Sequence, residues 1–135
     1  LADRLEQRRL PVAEAEAEIA AYATSADNAH LTALMLAIFD RVEPHRIALM
    51  DGIARYGHKQ VALAARIEDH RHKMAKLETA ASPDFDAMDE QEKQLDWDMR
   101  IFQDRQQALT YVCETPVILE QRVFALARAI AAGLK

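Results

Sequence analysis

The apolar residues of this chain repeat with helical spacing over two unusually long stretches. They recur every three or four residues from Leu31 to Leu77, and again from Met88 to Leu134, without losing phase. Spacing close to about 3.5 residues places them on one face of a helix, as in coiled coils. A shorter stretch in residues 1–26 shows the same spacing. The sequence therefore predicts two long amphipathic helices and an N-terminal helix.

Two short segments interrupt the repeat and carry helix-capping residues. The first offers three side-chain oxygens to the free amides of a helix start: Ser25, Asp27 and Asn28. In the second, Ser82 precedes Pro83 and five acidic residues follow, which matches the preferences for cap, first position and first turn. We therefore expect the last helix break between Thr79 and Asp89.

These boundaries predict an all-α fold in a single domain, residues 1–135. Its parts are an N-terminal helix (1–26) and two antiparallel arms (28–80 and 86–134) that form a hairpin or bundle. Only three glycines occur in the chain, which favours helices. Gly57 is a possible helix end, so a compact four-helix bundle with a turn there is the alternative.

Three prolines lie within stretches where the repeat continues: Pro11, Pro44 and Pro116. A loop would reset the rotation of the next helix, and phase would then not survive. The sequence therefore predicts that these prolines kink their helices without ending them.

Polar residues occupy several positions of the apolar repeat, among them His45, Gln60, His70 and Gln106. If the arms are antiparallel, facing residue numbers sum to roughly 167, because both arms rise equally per residue. This register sets Gln60 opposite Gln106, His70 near Leu95 and Asp98, and His45 near Arg122 and Glu120. Polar residues in such a seam fix the register when they are paired. We expect both histidines to be largely buried.

Charge and composition argue against several classes of partner. The net charge is −5 and basic residues are interleaved with acids, so no nucleic-acid footprint is present. The longest uncharged stretch, residues 28–39, is shorter than the roughly 20 residues of a membrane span. Cys113, expected in the core, has no partner for a disulfide, which slightly favours the cytoplasm. The chain begins at Leu1, which leaves export after signal removal open.

Chemistry-bearing residues form no recognisable catalytic or cofactor-binding motif. Glu68 and His72 lie one helical turn apart and are weak metal-ligand candidates, but no matching set follows elsewhere. We therefore expect no cofactor and no enzymatic activity.

Large apolar residues outside the repeat give the main functional indication. The candidates for an interaction surface are Leu36, Phe39, Trp97, Ile101, Ile118 and Phe124, and Leu34, Ile47 and Val117 also lie off the repeat. A two-helix contact cannot bury them all, and monomers seldom expose large apolar patches. The sequence thus predicts an adaptor, scaffold or chaperone-like protein that binds another protein or forms a homodimer. The alternative is a bundle that holds a small apolar ligand or a metal between its helices.

Overall fold

The computed structural model describes residues 1–135, which form four helices and no strand. The helices are α1 (Ala2–Leu5), α2 (Val12–Ala23), α3 (Asn28–Glu78) and α4 (Phe85–Ala132). The predicted all-α fold is confirmed, with α3 and α4 packed against each other. The chain divides into two compact units. Unit 1 comprises Leu1–Asp51 and Glu114–Lys135, and unit 2 comprises Gly52–Cys113.

Aspartates cap the starts of both long helices. The Asp27 Oδ1 atom accepts a hydrogen bond from the His30 amide at 2.8 Å. The Asp84 Oδ1 atom likewise accepts one from the Ala87 amide at 3.0 Å. The break between Thr79 and Asp89 is confirmed, but its cap is Asp84 and not Ser82. Aspartate caps as well as serine does, and its negative charge also interacts favourably with the helix dipole.

Three predicted weak points lie inside helices. α3 continues through Pro44 and Gly57, and α4 continues through Pro116. The alternative fold with a turn at Gly57 is therefore wrong. No Ser, Thr, Asp or Asn follows Gly57 closely enough to cap a new helix, so the helical backbone continues.

The predicted N-terminal helix over residues 1–26 is wrong, because it breaks before Pro11. α1 ends at Leu5, and Pro11 stands at the N-cap of α2 with φ −56° and ψ 145°. A proline disfavours helical backbone in the residue before it, here Leu10. The buried Arg122 side chain compensates for the lost backbone donors. It donates to the Leu5 carbonyl at 2.9 and 2.6 Å and to the Leu10 carbonyl at 2.7 Å.

The core of unit 1 draws side chains from all four helices. Its fully buried large residues are Leu5, Ile19, Leu31, Ile38 and Leu126. Each contributes about 1.5–3 kcal/mol through burial of its apolar surface. In unit 2 the buried apolar residues are Leu63 and Ile67, and they are accompanied by two buried polar residues, Gln60 and Asp98.

Candidate interaction surface

The N-terminal segment covers one side of the α3–α4 pair in unit 1. Asp3 of α1 forms an ion pair with Arg41 of α3. On α4, Arg122 binds the carbonyls that end α1 and precede α2. These two arginines therefore mark the covered side.

The opposite side of the same pair is marked by a second ion pair. The Arg46 Nε atom donates to Glu120 Oε1 at 2.7 Å, which joins α3 to α4. At about 100° per residue, Arg46 lies about 140° around α3 from Arg41. Glu120 lies about 160° around α4 from Arg122. The two sides of the helix pair are thus distinct.

Six large apolar side chains are exposed on this second side, and we call them the open face. They are Leu36, Phe39, Ile47 and Met50 of α3, and Val117 and Phe124 of α4, each between 45% and 62% exposed. The four α3 positions fall within an arc of about 80° that adjoins Arg46. Val117 and Phe124 lie about one turn before and after Glu120. The open face therefore spans both helices, with Glu43, Arg46 and Glu120 lying among its apolar side chains.

Two arginines, Arg46 and Arg128, lie beside the open face. Arg46 is engaged by Glu120 and also lies 3.5 Å from Glu43. The hydrogen bond to Glu120 is the main reason that the pKa of Arg46 is raised. The Arg128 guanidinium lies 4.9 Å from the centre of the Phe124 ring, a cation–π contact. The basic groups of the face are therefore already in contact with the chain's own side chains.

The predicted interaction residues divide between several places. Leu36, Phe39 and Phe124 belong to the open face, whereas Ile118 lines a shallow pocket beside the turn that precedes α2. Trp97 is exposed in unit 2, and Ile101 is only partly exposed. Sequence reasoning left Met50 out of this set. Its position three residues from Ile47 and its exposure together assign it to the open face.

The predicted polar register holds in unit 2. Gln60 Nε2 donates to the Phe102 carbonyl at 3.0 Å and lies 3.5 Å from Gln106 Oε1. His70 Nε2 lies 3.4 Å from Asp98 Oδ2. These contacts confirm the two pairings, and His70 is largely buried, with a side chain 12% exposed.

Asp98 also binds an arginine that sequence reasoning missed. Arg66 donates to both Asp98 carboxylate oxygens, at 2.6 and 2.7 Å. These hydrogen bonds lower the pKa of the buried Asp98, against the opposing effect of burial. His70 in turn contacts Gln91. Because both oxygens of Asp98 are bound by Arg66, the carboxylate functions as a link between α3 and α4.

The prediction for His45 is wrong, as its side chain is exposed. The neighbouring Arg46 occupies the place near Glu120 instead. The longer arginine side chain reaches across to the carboxylate and donates from a fixed planar group, which favours Arg46 over an imidazole. Cys113, expected in the core, is also exposed.

The predicted metal candidates do not converge. The Glu68 carboxylate accepts a hydrogen bond from Arg71 at 2.5 Å, and His72 is exposed. No three His, Cys, Asp or Glu side chains lie together as a metal-binding group. A cleft of about 190 Å³ in unit 2, lined in part by Ile67, Met99 and Phe102, is smaller than the roughly 300–1,000 Å³ of ordinary ligand pockets. Three open depressions at the surface of unit 1 are larger, at about 310, 340 and 530 Å³.

Comparison with known proteins gives no match: no family model fits the chain, and neither a curated protein nor a solved structure is significantly similar to it. None of the helices has both the length and the apolar character required to span a bilayer. The open face is thus the feature on which a functional interpretation rests.

Proposed function

We propose that this protein is a non-enzymatic helical interaction protein that binds another protein, or a second copy of itself, through the open face. The observation that carries the proposal is the asymmetry of unit 1. Its N-terminal segment covers one side of the α3–α4 pair, while the other side exposes six large apolar side chains. Several large apolar side chains exposed on one side of a protein often mark a protein-binding site.

The exposed aromatic residues of the open face support the same interpretation. Phe39 and Phe124 are 49% and 62% exposed, so a partner can still bury a large part of each ring. Apolar burial contributes about 25 cal/mol per Å², and aromatic side chains are frequent in the energetic centres of interfaces. Glu43, Glu120 and Arg128 lie among and beside them and supply the polar groups that protein interfaces usually contain.

Site-specific photocrosslinking in cells tests the proposal. A photoreactive phenylalanine analogue replaces Phe124 in one variant and Trp97 in a matched control, since both side chains are 62% exposed. We expect crosslinked species from position 124 and not from position 97. A product of twice 15.2 kDa would identify a second copy, and any other mass a different partner. Equal crosslinking at both positions, or none at position 124, would contradict the proposal.

A further inference from the structure

The open face spans two antiparallel helices, and we call the strip between its α3 and α4 residues the groove. Leu36 and Met50 mark the ends of the α3 edge, which is about 21 Å long at a rise of about 1.5 Å per residue. On α4, Val117 and Phe124 form the other edge. An amphipathic helix of about four turns matches this length, and grooves between helices commonly accept such a helix.

Unit 1 already contains one helix that packs against its core. α2 has 12 residues and buries Ala15, Ile19 and Ala23. Its buried positions are four residues apart, so a single narrow face of α2 makes the contact. A short helix with apolar residues at the same spacing could therefore pack against the open face as α2 packs against the core.

Unpaired carboxylates border the α3 edge of the groove. Asp40 follows Leu36 by four residues and Asp51 follows Ile47 by four, so each lies about one turn from an exposed apolar side chain. Both aspartates are exposed and neither forms an ion pair. The acidic charge along this edge is therefore available to a partner.

A second copy of the chain is poorly suited to this border. Each copy carries a net charge of −5 and would add its own Asp40 and Asp51. The basic groups it offers on the same face are Arg46, which is held by Glu120, and Arg128, which lies over Phe124. Like charges brought together at an interface oppose binding.

Building on the proposed function, we infer that the open face binds an amphipathic helix of another protein whose apolar stripe is flanked by lysine or arginine residues. The apolar stripe contacts Phe39, Ile47 and Phe124. The flanking basic side chains reach Asp40 and Asp51 along the α3 edge. The exposed carboxylates thereby favour a partner with basic side chains, and the apolar residues bind its apolar stripe.

Two synthetic peptides test this inference against the full chain. Both are labelled, about 15 residues long and carry the same leucine stripe, flanked in one by lysines and in the other by glutamates. Fluorescence anisotropy measures their dissociation constants. We expect the lysine-flanked peptide to bind at least about tenfold more tightly. The Asp40→Asn/Asp51→Asn variant should lose most of this preference. Asp96→Asn/Asp104→Asn, with the same charge change at exposed positions of unit 2, should retain it.

The possible outcomes separate this inference from the proposed function. Equal binding of both peptides, or equal effects of the two double variants, contradicts the inference of a basic partner helix. The open face would still be a binding surface in that case. Absence of binding by either peptide to a chain that is monomeric in light scattering overturns both. A dimer in light scattering that excludes the peptides identifies a second copy as the occupant, and this outcome also overturns the basic partner.

Discussion

Replacement of Gly57 by alanine tests directly whether α3 is one continuous helix. A Cβ atom built at Gly57 meets no other atom within 4 Å, so the added methyl group causes no clash. Glycine in a helix interior is about 0.8–1.0 kcal/mol less favourable than alanine. We therefore expect Gly57→Ala to stabilise the protein by about 1 kcal/mol, a rise in Tm of roughly 3–6 °C.

Urea unfolding followed by circular dichroism measures this change, and Gly133→Ala provides a contrasting control. A Cβ atom at Gly133 would lie 2.8 Å from the Cβ atom of Ala23, so that variant should be destabilised. If Gly57 ended a helix in a left-handed turn, alanine there would be unfavourable. A loss of stability in Gly57→Ala would therefore refute the continuous helix.

Three further substitutions have defined expectations. Arg122→Met leaves the Leu5 and Leu10 carbonyls without donors, so unfolding free energy should fall by about 2–5 kcal/mol, and protease should cleave the N-terminal segment faster; unchanged cleavage would contradict this. Pro116→Ala restores a backbone N–H donor, which should raise the unfolding free energy by up to about 3 kcal/mol. It also removes buried CH₂ groups of the proline ring, and each of these lowers the unfolding free energy by about 0.8 kcal/mol. A net gain of about 1–2 kcal/mol in thermal melts is expected, with weaker binding of the lysine-flanked peptide because the adjacent open face shifts. Unchanged binding of this peptide would show that Pro116 affects only helix packing and not the binding surface. Asp98, whose pKa is lowered in the fold, stabilises the protein above its unfolded pKa of about 3.9, and this contribution is lost as pH falls through the folded value. Asp98→Asn should therefore unfold with less pH dependence below about pH 4 in acid titrations, and an unchanged profile would count against the Arg66 pairing.

Local chemistry explains which parts of the fold were predictable. The Asp27 cap, the break after Thr79 and the continuation through Pro116 all depend on neighbouring residues, and all are visible in the sequence. The pairing of Gln60 with Gln106 follows from the equal rise of two antiparallel helices. Each of these predictions needed only spacing and the properties of adjacent side chains.

Contacts between distant segments explain what was missed. Arg122 binds carbonyls more than 100 residues away, at Leu5 and Leu10, and no local pattern reveals that an arginine supports the break before Pro11. Helical spacing shows which residues share a face, but it does not show which side of two paired helices a third segment covers. The ion pair between Asp3 and Arg41 identifies the covered side, and the open face is the side opposite to it.

Binding of the lysine-flanked peptide to two matched double variants tests the central claim most directly. Phe39→Ser/Phe124→Ser removes two exposed side chains of the open face, and Val61→Ser/Trp97→Ser removes two from unit 2 that are at least as exposed. Both variants should fold, because exposed substitutions seldom change stability by more than about 0.5 kcal/mol. We expect the dissociation constant to rise at least about tenfold in the first variant and to stay unchanged in the second. Equal losses in the two variants, or full binding by the first, would contradict the assignment of the open face as the binding surface.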